Sequence, residues 1–79
     1  MWKTNKVTIE TAEGAFTYKY WAKVYDEGSI YGIDEGRISK LTVIDSETRT
    51  VMNYDRGWDL EPKNLMEQAV LQAIKNIYA

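Results

Sequence analysis

The sequence predicts an α+β fold: a four-stranded antiparallel β-meander with one C-terminal α-helix packed across one face, in the order ββββα. Three observations carry this reading. Apolar and polar residues alternate over the first two thirds of the chain, the period of half-buried strands. Short turn sequences rich in Gly, Asp and Ser separate those runs. The last residues switch to a stripe of period 3.6, the mark of an amphipathic helix. The chain of 79 residues is read as a single domain, residues 1–79.

The first strand is placed at residues 5–11, where Val7 and Ile9 alternate with Thr8 and Glu10. Ala12-Glu13-Gly14 is a tight turn, with Gly14 free to take the positive φ that hairpins require. The second strand, residues 15–25, has the longest alternation. Phe16, Tyr18, Tyr20, Ala22 and Val24 form a core face, and Thr17, Lys19, Trp21, Lys23 and Tyr25 a solvated one. The third strand, residues 37–44, has a parity conflict, because Ile38 and Ile44 disagree with Leu41 and Val43. A β-bulge near Ser39-Lys40, or burial of both faces, resolves it. After the turn Asp45-Ser46-Glu47-Thr48, residues 49–55 make the fourth strand.

Asp55 to Asp59 reads as a strand-to-helix corner. The helix is assigned to residues 62–78, with Pro62 at its first position and Leu60 and Leu65 forming a hydrophobic staple. A start at Asn64, with Glu67 three residues on, is the competing register. Leu65, Met66, Ala69, Val70, Ala73, Ile74 and Ile77 trace the apolar stripe that must lie on the sheet.

Composition narrows the chemistry. The chain has neither cysteine nor histidine, so it offers no thiolate, no imidazole base and no soft zinc site. Its core must come from aromatic and aliphatic packing, and each buried ring removes on the order of 150–250 Å² from water. A net charge of −2 runs against non-specific nucleic-acid binding, which relies on a basic footprint. No apolar run approaches the roughly 18 residues of a membrane span. No secretory leader pattern opens the chain. The expected setting is therefore cytoplasmic, without membrane association.

Three places are candidates for function. The loop between the second and third strands doubles an Asp-Glu-Gly motif, with Asp26, Glu27, Asp34 and Glu35 around Ile30, Tyr31 and Ile33. These carboxylates are hard oxygen ligands of the type Ca²⁺ takes, but their spacing does not match a calcium loop. Turn chemistry alone accounts for them better. The apolar middle of the loop points to a lid folded over the sheet edge. Paired carboxylates also serve glycosidases, but that chemistry needs a cleft in which one of them is desolvated. No catalytic residue, cofactor or metal is assigned, and the chain is read as a non-enzyme. The second candidate is Arg56 with Trp58, residue types enriched in binding hot spots; the structural alternative makes Trp58 a plug at the end of the core. The third is the sheet face with Lys19, Trp21, Lys23 and Tyr25, where rings interleaved with lysines suit stacked bases or a protein surface.

Tyr31-Gly32-Ile33, Gly36-Arg37-Ile38-Ser39-Lys40-Leu41 and Tyr54-Asp55-Arg56-Gly57-Trp58-Asp59 together resemble short uncharacterised proteins of Gram-positive bacteria and their phages or prophages. The resemblance covers residues 16–77. It implies a stand-alone accessory protein and transfers no functional residue.

The function expected from these readings is a small non-catalytic binding or accessory module acting through protein–protein contacts. Its surface joins Asp26, Glu27, Tyr31, Asp34 and Glu35 to Arg56 and Trp58, and to Trp21 and Tyr25 on the sheet face. An acidic loop that mimics phosphates implies a basic protein partner. The alternative is a nucleic-acid-binding module that uses the lysine and aromatic face. A monomer and a homodimer through that face both fit the sequence.

Overall fold

Alternation in the first third of the chain is realised as one long hairpin. The computed structural model describes residues 1–79. Strand β1 (Trp2–Thr11) pairs antiparallel with β2 (Gly14–Val24), from Trp2 opposite Lys23 to Thr11 opposite Gly14. Gly14 has φ +131°. The Thr11 hydroxyl accepts the Glu13 N–H at 3.1 Å and donates to the Gly14 carbonyl at 3.2 Å, which fixes the turn. At the other end Met1 closes the ladder, donating its ammonium to the Val24 carbonyl at 3.0 Å. The strand begins at Trp2 rather than at Asn5. Trp2, Lys3 and Thr4 contribute nothing to the buried core, so alternation could not reveal them; pairing with Trp21 to Lys23 orders them.

Strands β3 (Ile38–Ile44), β4 (Thr50–Asp55) and β5 (Trp58–Leu60) complete a five-stranded antiparallel sheet in the order β1-β2-β3-β4-β5. The expected count of four strands is corrected by β5. Instead of turning directly into the helix, the chain reverses at Arg56-Gly57, with the Asp55 N–H bonded to the Gly57 carbonyl at 2.9 Å. Trp58 comes opposite Tyr54 and Leu60 opposite Asn53. Three residues are too few for a period of two to register in the sequence.

A bulge settles the parity conflict in β3 for Ile38, whereas Ile44 stays half-buried on the other face, opposite Lys19. Ile38 pairs with Val24 and Lys40 with Lys23, leaving Ser39 as the extra residue. A second irregularity falls on β4, where Val51 lies between the partners of Val43 and Ile44. Ser39 is buried and its hydroxyl donates to the Lys23 carbonyl at 3.4 Å.

The helix α1 runs over Leu65–Ile77. It starts at the competing register, not at Pro62. Asn64 accepts the Glu67 N–H through Oδ1 at 2.8 Å, and Glu67 Oε1 reaches back to the Lys63 N–H at 2.7 Å. This capping arrangement satisfies two orphan donors, more than proline at the first turn can offer. The Leu60–Leu65 staple is absent, since Leu65 is 89% exposed. The buried stripe is Glu67, Val70, Leu71 and Ile74, and Ile77 points outward. The helix is therefore rotated from the expected face toward Leu71.

That stripe covers one face of the sheet. Tyr20, Ala22, Val24, Leu41, Val43, Met52 and Tyr54 supply the sheet side, with Val7 from β1. Fully burying each large aliphatic side chain contributes about 1.5–3 kcal/mol. Tyr20 is buried with its hydroxyl 2.9 Å from that of Tyr78, so the ring enters the core without an orphan polar atom. Phe16, expected in the core, is 42% exposed near the hairpin tip. The opposite face of the sheet carries no helix.

Candidate functional site

The doubled Asp-Glu-Gly loop closes on its own backbone. Tyr25 N–H bonds to the Arg37 carbonyl, Ser29 N–H to Gly36 and Gly36 N–H to Ile33, at 3.0, 3.2 and 2.9 Å. A Cβ on Gly32 would lie 1.9 Å from the Gly36 carbonyl oxygen, and one on Gly28 would lie 2.5 Å from that of Glu35. These glycines permit backbone contact that no side chain allows. The expected lid is formed only in part: Ile33 is buried in the core, while Ile30 and Tyr31 stay exposed.

The four loop carboxylates do not act together. Asp34, at φ 52° in a 3-10 turn of Ile33–Glu35, forms an ion pair with Lys75 of α1. Asp26, Glu27 and Glu35 are exposed. No three acidic side chains lie close enough to hold a metal ion.

Tyr31, Tyr25 and Arg56 do come together. The Arg56 guanidinium stands 5.8 Å from the centre of the Tyr31 ring, and the Tyr31 carbonyl accepts from the Tyr54 hydroxyl at 2.9 Å. Tyr25, Ser29, Tyr31, Ser39, Lys40 and Arg56 line a cleft of about 370 Å³ at this end of the sheet. Arg56 is positioned by two irregularities at once. It has the left-handed φ of 60°, uncommon outside glycine, and its N–H bonds to the carbonyl of the bulged Ser39 at 3.1 Å. The Lys23 ammonium, with Ser39 and Arg56, holds the Tyr25 phenol below its ordinary pKa.

Trp58 takes the opposite side. It packs edge-on against Tyr54 with ring centres 5.0 Å apart and adjoins the core. It is the structural plug, and it does not line the cleft that holds Arg56.

The uncovered face extends from this cleft along the sheet. Trp21 is half-buried there, with the Lys19 ammonium 5.1 Å from its ring centre. Lys23 stands likewise over Tyr25 at 5.5 Å. The register adds residues that the sequence could not place. Lys6 lies directly opposite Lys19, and Lys40 directly opposite Lys23. Trp2 is 58% exposed beside Lys23. Farther along, Thr42 donates to Asn53 at 2.9 Å and Asn53 to Asp59 at 3.1 Å, a polar ladder with its groups satisfied. Lys40 also pairs with Asp55 at 3.7 Å.

Like charges directly opposite each other destabilise a sheet, and this face holds two such lysine pairs. Lys19 and Lys23 were legible from parity. Lys40 was hidden behind the Ser39 bulge, and Lys6 gained meaning only from its partner.

No helix is long and apolar enough to cross a membrane. No curated protein and no solved structure matches this chain. A family model matches it from end to end, over residues 1–79, and the chain belongs to that family, described as a domain of unknown function (DUF7678).

Proposed function

We propose that this chain is a non-catalytic binding module that meets a protein partner through its uncovered sheet face. The observation that carries the reading is the pair of opposed lysine couples, Lys6 with Lys19 and Lys23 with Lys40. A face that repels itself is relieved by an anionic surface, so the partner's contact patch is acidic. This reading differs from the basic partner expected from the acidic loop, in which Asp34 is paired with Lys75. Two copies stacked face to face would set lysine rows against each other, so the chain acts as a monomer of 9.2 kDa. Light scattering checks that mass. An accessory role among mobile genes, implied by the sequence resemblance, belongs to the same proposal.

Affinity capture with the wild type and with a Lys6→Glu, Lys19→Glu variant tests the reading. An acidic protein held by the wild type and lost by the variant supports it. A partner that the variant retains contradicts it.

The lysine–ring stacks at Trp21 and Tyr25 favour a second reading, a module that binds single-stranded nucleic acid by base stacking. Quenching of tryptophan fluorescence by an oligonucleotide, weakening steeply with salt, would establish it. No quenching at low salt would end it.

A further inference from the structure

We infer that the cleft between Tyr25, Tyr31 and Arg56 is a binding site for an aromatic phosphomonoester, a planar ring carrying a dianionic phosphate. The cleft shares Lys23 and Lys40 with the open face of the proposed function, and Tyr25, Tyr31 and Arg56 give it a geometry of its own.

Two cations line the cleft, and a third stands at its border over one of its aromatic walls. Arg56 and Lys40 line it, and the Lys23 ammonium sits over the Tyr25 ring. One carboxylate, Asp55, offsets Lys40 at 3.7 Å. Asp26 and Glu27, though adjacent in sequence, do not line the cleft. Two positive charges are left over, which matches a phosphate dianion better than a single carboxylate. Arg56 makes no ion pair, so its planar fork is free to bond two phosphate oxygens. Ser29 and Ser39 line the same space; the Ser29 hydroxyl adds a neutral donor, while that of Ser39 is taken by the Lys23 carbonyl. Tyr25 and Tyr31 are about half exposed, and they give the cleft aromatic walls. Its 370 Å³ lies at the small end of ligand-binding clefts, roughly 300–1,000 Å³.

The backbone points the same way. The hairpin has Gly57 next to Arg56, yet Arg56 is the residue with φ 60°. Strained residues of this kind persist where surrounding structure holds them, and they cluster at binding sites. Here the Ser39 carbonyl holds Arg56 through its N–H. Placing the guanidinium at the cleft explains why the strained position carries an arginine.

The test is a titration of the full chain, labelled with ¹⁵N, with phenyl phosphate. Amide shifts are expected to concentrate at Ser29, Ser39, Lys40 and Arg56. Phenyl phosphate should bind about threefold to tenfold more tightly than inorganic phosphate, which lacks the ring, and more tightly than benzoate, which lacks the second charge. Arg56→Gly should weaken binding about tenfold or more while raising the melting temperature, since glycine relieves the positive φ. A merely structural Arg56 would give lower stability with unchanged affinity, and that result overturns the proposal. Shifts spread evenly to Lys6 and Lys19 overturn it too, as does binding of inorganic phosphate equal to that of phenyl phosphate. Phosphotyrosine and adenosine monophosphate then separate the two sources of the chemistry. Tighter phosphotyrosine binding identifies a phosphorylated protein, and the reverse a nucleotide. Failure here leaves the open-face reading intact, because that reading is tested at Lys19, away from the cleft.

Discussion

The two faces of this sheet are built by the same strands with the same alternation, and they end in opposite states. On one face Tyr20, Leu41, Val43 and Met52 meet Val70 and Ile74, all fully or almost fully buried. On the other, lysine faces lysine across two strand pairs, with tryptophan and tyrosine rings lying among them. The chain's own helix completes the first face. Nothing in the chain completes the second. The contrast teaches that stability and recognition are divided by side-chain parity: even positions of β2 hold the fold, and odd positions leave a surface charged at some cost to it.

The largest effect is expected on the covered face, where helix and sheet meet. Ile74→Ala leaves a cavity between helix and sheet and should cost about 2–5 kcal/mol in chemical denaturation. A loss below about 1 kcal/mol would mean that the helix contributes little to the core.

Alkaline pH probes the same face. Burial, then the hydrogen bond shared with the Tyr78 hydroxyl, raises the Tyr20 pKa well above its ordinary value. The unfolded chain releases this proton near pH 10, whereas the folded chain keeps it. Stability should therefore be intact below about pH 10 and fall as pH rises beyond it. The fall should be shallower in Tyr20→Phe, provided that variant folds. An identical alkaline slope in both proteins would contradict the burial argument.

A smaller effect is expected at the helix start. Asn64→Ala removes the acceptor of the Glu67 N–H and should cost about 0.5–2 kcal/mol. Pro62→Ala should cost less, because Pro62 lies outside the helix. Equal losses would return the helix start to Pro62.

Much of the covered face was legible in the sequence. The period of two in Tyr18 to Val24 and the 3.6 stripe through Val70 and Ile74 report burial directly. The Ser39 bulge was legible too, as a break in parity. What escaped were features set by register and short range. β5 is too brief to show a period, and the rotation of the helix toward Leu71 follows from a cap that competes with Pro62. The doubled Asp-Glu-Gly drew attention for its charge, but the loop's glycines matter more, for backbone contact at Gly28 and at Gly32 between the two copies. Its acids disperse. Tyr31, Arg56 and Trp58 were expected on one surface, and only the folded chain shows that Tyr31 and Arg56 share a cleft that Trp58 does not line. The opposition of Lys6 to Lys19 could not be read at all, because it exists only across two strands.

The open face is charged at the expense of the fold, with lysine opposite lysine across two strand pairs. The most direct test is the melting temperature of Lys6→Glu at low ionic strength. Lys6 makes no stacking contact with a ring, and Asn5 caps its N–H whatever the side chain. Replacing repulsion by attraction opposite Lys19 should add roughly 0.2–1 kcal/mol. For a domain of this size that raises the midpoint by a few degrees. The gain should vanish near 1 M salt, where the screening length is about 3 Å. A midpoint that falls at low salt, or rises equally at high salt, would contradict the account.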